Sequence, residues 1–528
     1  MTTLDVIFLS FGSAILLTLA TRRLELPYPS VLVLGGLAVG LMPGIPMLQI
    51  APEVILLIFL PAVLFEEASR LTRYDLRTNV FFIGFLAFAL VVVTCAAVAA
   101  VCTWLFPGIP LPVAIVIGAI VAPADSISSE AILARLKVSR RIINTLTGEG
   151  LVNDTISVVI YKLAVASVLS SAVSLPPTAL EFVFSIAGGV VLGISTGWVG
   201  VRLLRISGEH MTYSLLSILL AFTTYFAAER LGASAPVATV AAGVQYALQT
   251  PTTVSAELRF NAGVAWEVVI FALNALGFVL IGVQLPTILV DLKYYSAWQL
   301  TLDASAVVGT VVAVRFMLVT GLAAAGKLFR WRRRSVGLSW RDDIVIAWGG
   351  MRGLVSLASA LALPLTPEGS VFPYRDLALF LAFVVILFTL VAQGLSLASI
   401  VRLLRVGHNE AREEIRRARL EAAEAALRVL DLLAAEATVS GAELGVLRDE
   451  YNHRIGELGD EMRTASPTAG RRSLEYVRLK LIDAERQQLL SISRRRDIGD
   501  AILRQLLSEL DVAEIAVRNR SKQQGPSG

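Results

Sequence analysis

The sequence predicts an all-α polytopic membrane protein, with about thirteen transmembrane helices in two inverted six-helix repeats and a helical cytoplasmic tail. Hydrophobic residues make up 55% of the 528 residues and the mean hydropathy is +0.71, well above the composition of a typical soluble protein. Long apolar runs recur as far as residue 404. Two of these runs are interrupted by Pro or Gly beside a charged residue, at corresponding places in the two halves.

Each predicted span is an apolar run close to the roughly 20 residues that a helix needs to cross a bilayer. The runs fall at 5–21, 29–48, 52–68, 79–106, 110–134, 143–171, 178–203, 212–229, 233–249, 264–289, 298–326, 342–365 and 374–403. Basic residues follow the first run and none precedes it. We therefore expect a retained first helix and no cleaved signal peptide.

Lysine and arginine are concentrated in alternate loops, and this asymmetry predicts the orientation in the membrane. With the N-terminus outside, the cytoplasmic loops contain Arg22, Arg23, Arg70, Arg73, Arg77, Arg135, Lys137, Arg140, Arg141, Arg202, Arg205, Arg259, Lys327, Arg330, Arg332, Arg333, Arg334 and Arg341. The opposite loops contain only Arg230, Lys293 and Arg375. The sequence therefore predicts a multi-pass membrane protein with the N-terminus outside and the C-terminus in the cytoplasm.

The composition changes after residue 404, which divides the chain into a membrane domain, 1–404, and a tail, 405–528. The tail is rich in Ala, Leu, Glu and Arg at helical spacing, with breaks predicted near 440–441 and at 464–470. This pattern is typical of a solvated helical domain. A regulatory or dimerising role is left open.

The sixth span contains Glu149, Asn153 and Asp154 near its start. In a helix Glu149 and Asn153 share a face, while Asp154 lies about 100° further round. Gly150, four residues before Asp154, leaves space beside that carboxylate. Because a carboxylate in hydrocarbon is costly, such residues persist mainly where they face a cavity, a partner or an ion path.

The fifth and twelfth spans are both interrupted. Pro123 precedes Asp125 in the fifth, and the twelfth has three glycines around Arg352. An unwound helix at membrane depth frees backbone groups for an ion and is typical of secondary transporters. The two interruptions are seven spans apart, so they occupy equivalent places in repeats of opposite orientation. A buried arginine needs a carboxylate partner, and Glu149 is the partner that we predict for Arg352.

Other polar or reactive residues in the spans have simpler interpretations. Lys162, Glu267 and Arg315 are expected to snorkel to the interface or to form packing ion pairs. Cys95 and Cys102 are expected to be packing residues. No cofactor is predicted.

In these motifs the chain resembles the cation–proton antiporter-1 family, the sodium/proton exchangers that include NhaP-type bacterial proteins. The similarity covers essentially the whole membrane region. It is carried by the segments 59–66, 121–129, Gly148-Glu149-Gly150-Leu151-Val152-Asn153-Asp154, 266–285 and Gly349-Gly350-Met351-Arg352-Gly353, and in the tail by 485–511.

The resemblance implies a homodimer in which a six-helix core moves against a dimerisation scaffold. It marks Asp154 as the carboxylate that alternately holds a proton or a monovalent cation, with Asn153 orienting it and Asp125 lining the same cavity. Glu149 and Arg352 would form the supporting ion pair. The Asn-Asp sequence is associated with electroneutral one-for-one exchange.

The chain departs from the family pattern at two positions that usually have hydroxyl groups, which here are Ala124 and Gly150. Ser126, Thr155, a backbone carbonyl or water would have to substitute. The residues therefore leave open the choice among sodium, potassium and lithium.

The function predicted is secondary active exchange of a monovalent cation, in the first place sodium, for protons across a lipid bilayer. The alternatives are a potassium/proton antiporter, an ion channel and a non-transporting sensor. An intramembrane aspartyl protease using Asp125 and Asp154 is disfavoured by the residues around them, so no enzyme activity is predicted. No nucleic-acid partner is expected.

Overall fold

A computed structural model describes residues 12, 28–42, 52–70, 80–136, 138, 140–169, 175–206, 208–292, 296–328, 339–364, 372–406, 409–435, 441–459, 472–495 and 500–523. Helices account for nearly all of these residues, and no strand occurs among them. The predicted all-α class is confirmed. The predicted span 5–21, apart from position 12, and the predicted break at 464–470 lie outside the described residues.

The helices follow the predicted spans closely. In the membrane domain they are α1 (Tyr28–Gly40), α2 (Pro52–Ser69), α3 (Val80–Leu105), α4 (Leu111–Val121), α5 (Ser126–Arg135), α6 (Arg140–Leu169), α7 (Leu175–Ile206), α8 (His210–Arg230), α9 (Ala235–Thr253), α10 (Ala256–Asp291), α11 (Ala297–Leu328), α12 (Trp340–Trp348), α13 (Leu354–Leu361), α14 (Arg375–Phe388) and α15 (Gly394–Leu404). A π-helical turn, Thr389–Gln393, joins the last two. The tail forms α16 (Asn409–Ala435), α17 (Gly441–Gly459), α18 (Arg472–Arg495) and α19 (Asp500–Gln523).

Seven membrane spans among the described residues are long and apolar enough to cross a bilayer without interruption. The fifth and twelfth predicted spans do not qualify because each is divided into two short helices, α4 with α5 and α12 with α13. Both predicted interruptions are therefore present. The count of thirteen spans stays a prediction.

The membrane helices pack in two groups. One contains α1, α2, α7, α8, α9 and α10, and the other contains α3, α4, α5, α6, α11, α12, α13 and α14. Contacts between the groups are fewer and are made chiefly by α2 with α13 and by α10 with α14. The interrupted helices all belong to the second group, as does α6 with its acidic residues.

Helices α1 and α10 pack backbone against backbone because glycine replaces larger residues at their contact. A Cβ atom on Gly36 would lie 2.3 Å from the Val279 carbonyl oxygen, and one on Gly282 would lie 2.2 Å from the Val33 carbonyl oxygen. Small residues allow this close approach where apolar lipid supplies no hydrophobic driving force between helices.

Gly36→Ala is expected to lower the free energy of unfolding by about 1–3 kcal/mol, the usual cost of overpacking a site that cannot yield. The thermal unfolding midpoint of the purified protein in detergent would measure it. Gly309→Ala is the matched control, because a Cβ atom there meets no atom within 4 Å. Equal midpoints for the two variants would contradict the packing interpretation.

The tail contacts the membrane domain through α19, which touches both α10 and α6. Arg259, near the start of α10, donates from Nη2 to both carboxylate oxygens of Asp511 at 2.8 and 3.0 Å. Arg486 of α18 also donates to Asp511, at 3.0 Å. One tail carboxylate thus binds an arginine of each domain.

Candidate functional site

The two interruptions are in direct contact, and we call this contact between residues 122–125 and 349–353 the crossing. The chain unwinds over 122–125 and again over 349–353, and the Asp125 amide donates to the Met351 carbonyl oxygen at 2.7 Å. Pro123 favours the first break because it has no amide hydrogen. Because unwound backbone at membrane depth must find partners within the protein, the two segments stabilise each other.

Two glycines of the second interruption make room for charged side chains. A Cβ atom on Gly353 would lie 2.1 Å from Asp125 Oδ2, and one on Gly350 would lie 1.8 Å from Arg315 Nε. The glycine-rich sequence is therefore explained by close approach as well as by unwinding. A larger residue at either position would displace a charge from the crossing.

Arg352 does not form the ion pair that the sequence predicts. Its guanidinium donates to backbone carbonyls instead: Nε to Val121 at 3.0 Å, Nη2 to Ala122 at 3.4 Å, and Nη1 to Gly350. The first two are the orphaned carbonyls at the end of α4. Because the C-terminal end of a helix carries partial negative charge, the arginine is stabilised there without a carboxylate in direct contact.

The partner of Glu149 is Arg315 on α11. Arg315 donates to the two oxygens of the Glu149 carboxylate at 2.5 and 3.2 Å, and both side chains are almost completely buried. Arg315 also donates to the carbonyls of Ile346 and Ala347 at 3.1 Å each. Of the two interpretations left open for Arg315, the structure shows the packing ion pair, whereas the pairing of Glu149 with Arg352 was wrong.

Each arginine binds carbonyls at the end of a short helix that stops at an interruption. Arg352 binds the carbonyls that end α4, and Arg315 binds carbonyls in the last turn of α12. Each interruption thus has its negative helix end neutralised by an arginine from elsewhere in the sequence.

A small cavity lies beside the crossing. Its volume is about 10 Å³, close to the space that one water molecule requires by the same measure. The lining residues are Val63, Pro123, Asp125, Asp154, Gly353, Leu354, Val355 and Ser356. Asp154 is 3% exposed, and its Oδ1 has no hydrogen-bond partner within the described part of the chain. The structure therefore brings Asp125 and Asp154 together, as predicted.

The other predicted site residues have different surroundings. Asn153 donates to Glu149 Oε1 at 3.0 Å, not to Asp154, and its Oδ1 is without a partner among the described residues. Thr155 donates to the carbonyl of Leu151, one turn earlier on its own helix, at 2.8 Å. Neither Asn153 nor Thr155 lines the cavity.

Ser126 faces a carboxylate that the sequence analysis overlooked. Its hydroxyl donates to Glu67 Oε1 at 2.8 Å, and Glu67 is itself 2% exposed. A Cβ atom on Gly150 would lie only 2.8 Å from the Ser126 Cβ, so Ser126 fills the space that a side chain at 150 would need. The sequence does contain a signal for Glu67, because it is one of two consecutive acids in an apolar span. An intramembrane carboxylate usually has a function.

Lys162, Glu267 and the two cysteines do not line the cavity. Lys162 Nζ binds both carboxylate oxygens of Glu229 at 2.8 Å, a partly exposed ion pair. Glu267 is exposed. Cys95 and Cys102 are buried and free.

Two interrupted helices that meet beside buried carboxylates are typical of secondary transporters built from inverted repeats. Residues 9–403 match the sequence profile of the family described as sodium/hydrogen exchanger, transmembrane. The chain belongs to this family, which confirms the predicted resemblance.

Relatives and a solved structure agree with the assignment. The chain is 32% identical over 511 residues to an uncharacterised Na⁺/H⁺ exchanger of Mycobacterium tuberculosis, covering 94% of this chain and 93% of the relative. It is 32% identical over 367 residues to the Na⁺/H⁺ antiporter NhaP of Pseudomonas aeruginosa, covering 67% and 82%. The fold is similar to that of the sodium proton antiporter MjNhaP1 of Methanocaldococcus jannaschii, with a TM-score of 0.56 at 17% identity, over 74% of this chain and 98% of that one.

Proposed function

We propose that this protein exchanges sodium for protons across the membrane by alternating access, with Asp154 as the exchanging carboxylate. The observation that carries the proposal is the buried Asp154 carboxylate, with an unpartnered oxygen, in a cavity of about 10 Å³ at the crossing. Membership of the sodium/hydrogen exchanger family supports it. The names of the relatives, which are Na⁺/H⁺ exchangers and antiporters, also support the proposal.

Exchange follows from competition for one carboxylate. A proton and a cation cannot both occupy the same Asp154 oxygens, so binding of sodium expels the proton. An ionised carboxylate that is buried without a counter-ion is costly, so the empty site is the state least able to pass between the two sides. Only protein that holds a proton or a sodium ion then changes the side of the membrane to which its site is open. Each such change carries one of the two ions.

The compensation of Glu149 supports electroneutral exchange. Glu149 is compensated by Arg315 in direct contact, and Asn153 beside Asp154 is neutral and bonded to Glu149. These groups hold the site without taking part in the proton and sodium cycle. Asp125 lines the cavity as a second carboxylate that attracts the cation.

We place the protein in the bacterial inner membrane as a homodimer, with the N-terminus outside and the tail in the cytoplasm. The excess of basic residues in alternate loops supports this orientation. Arg259, assigned to a cytoplasmic loop by that rule, binds Asp511 of the tail. The loop and the tail therefore lie on the same side, as the orientation requires.

The test uses purified protein in sealed liposomes that contain a pH-sensitive dye. Sodium pulses are expected to move protons, with weaker responses to potassium, and an imposed membrane potential should leave the sodium response unchanged. A potassium response larger than that of sodium would favour the potassium antiporter. Conductance far above carrier turnover would indicate a channel, and no response to any cation would contradict antiport.

A further inference from the structure

The first turn of α13 places a hydroxyl group in the cation cavity. Ser356 is 1% exposed and lines the cavity together with Asp125 and Asp154. Its Oγ has no hydrogen-bond partner in the part of the chain that the structure describes. A buried polar group without a partner costs about 1–3 kcal/mol, so its presence in a native site calls for an explanation.

Serine and threonine inside helices usually donate back to a carbonyl three or four residues earlier. Thr155 does so to Leu151 and Thr389 to Val385, at 2.8 and 2.9 Å. Ser356 makes no such bond, and four residues before it the chain is unwound at Arg352. Its hydroxyl is therefore not held against the preceding turn of its own helix, and the orientation of its oxygen toward the cavity is unconstrained by such a bond.

We infer that the Ser356 hydroxyl is a ligand of the transported cation, an inference that rests on the proposed sodium/proton exchange. A hard monovalent cation favours oxygen ligands, and a cavity with space for about one water molecule obliges the ion to replace its hydration shell with protein oxygens. Asp154, Asp125 and Ser356 are the side chains with oxygen atoms that line it.

The Ser356 hydroxyl contributes to binding of the cation and not to protonation of Asp154. A proton on Asp154 is held by a covalent O–H bond and needs no third ligand, whereas a dehydrated cation gains from each additional oxygen. Loss of Ser356 should therefore weaken sodium binding and leave proton binding intact. It should also change the preference among sodium, lithium and potassium, because the number of ligands is part of what distinguishes these ions.

The chain offers a matched control one turn further along the same helix. Ser359 is also fully buried, and its Oγ is likewise unpartnered in the described structure. It does not line the cavity. Replacing either serine with alanine removes an unsatisfied buried hydroxyl, so both variants should fold. Only Ser356→Ala should alter the cation site.

The experiment measures the sodium KM and the maximal exchange rate of both variants in liposomes. Ser356→Ala is expected to raise the sodium KM by about tenfold or more, the effect of losing one contact to a charged group, with the maximal rate retained. Ser359→Ala should leave both values unchanged. An unchanged KM in Ser356→Ala, or an equal rise in Ser359→Ala, would overturn the assignment.

A second variant tests the ligand chemistry. Ser356→Cys retains a side chain of similar size but presents soft sulfur, which favours thallous ion over sodium. The ratio of the thallium KM to the sodium KM should fall in this variant, and an unchanged ratio would count against direct ligation. Calorimetry can measure sodium binding to the detergent-purified wild type and to Ser356→Ala. This measurement tests Ser356 as a ligand even if the wild type fails to exchange protons.

Discussion

Asp154→Asn is expected to reduce sodium-dependent proton movement to the rate of protein-free liposomes, the largest functional effect that the structure predicts. Asparagine has nearly the same shape as aspartate, but it cannot take up the exchanged proton or neutralise a cation. Asp154 lines the cavity with one oxygen unpartnered, so the substitution breaks no hydrogen bond to that atom among the described residues. The folded protein should therefore be recovered in normal yield.

Asp303→Asn is the matched control for this variant. Asp303 is another buried aspartate in a membrane helix, with Oδ2 unpartnered in the described structure, and it does not line the cavity. Its replacement should retain exchange close to the wild-type rate. Exchange that survives in Asp154→Asn would refute the assignment, and equal loss in both variants would show that the effect is not specific to the site.

Arg315→Met is expected to lower the free energy of unfolding by about 3–5 kcal/mol, the cost of leaving a buried carboxylate without its partner. Glu149 is 1% exposed and would keep only the hydrogen bond from Asn153 among those described here. The variant also loses the two bonds to Ile346 and Ala347 at the end of α12. Thermal unfolding in detergent and the yield of monodisperse protein would measure the loss.

A double variant separates the ion pair from general packing. Glu149→Gln alone should also destabilise, because it leaves Arg315 charged and buried. Arg315→Met combined with Glu149→Gln should cost less than the sum of the single variants, as expected for directly coupled residues. Strict additivity would contradict the pairing.

Lys162→Met removes an ion pair whose side chains are 35% and 50% exposed, and it should cost less than about 1 kcal/mol.

The sequence does not identify which arginine pairs with Glu149: the prediction was Arg352, and the structure shows Arg315. Both arginines lie in predicted spans, and both need compensation for their charge. Sequence spacing indicates which residues share a face of one helix, but Glu149 and Arg315 are 166 residues apart on different helices. Two of the carbonyls that Arg352 binds, those of Val121 and Ala122, lie at the end of α4. No sequence pattern indicates that an arginine will meet them there.

The residues missed at the site have the same explanation. Ser356 is one of many serines in apolar helices, and nothing in its local sequence distinguishes it from Ser359. Only the crossing places Ser356 beside Asp154 and leaves Ser359 outside the cavity. The close fit of Gly150 against Ser126 likewise depends on how α5 meets α6.

The sequence alone determined the membrane class, the helical tail and the two interrupted helices, and it marked Asp125 and Asp154 as the candidate carboxylates. These follow from local properties: hydropathy, the backbone preferences of proline and glycine, and the cost of a charge in hydrocarbon. The tertiary structure decided which arginine neutralises Glu149, which carbonyls Arg352 binds, and which oxygen atoms share the cavity. Those choices depend on contacts between helices distant in sequence, because a buried charge is stabilised only by the groups that packing brings within a few ångströms of it.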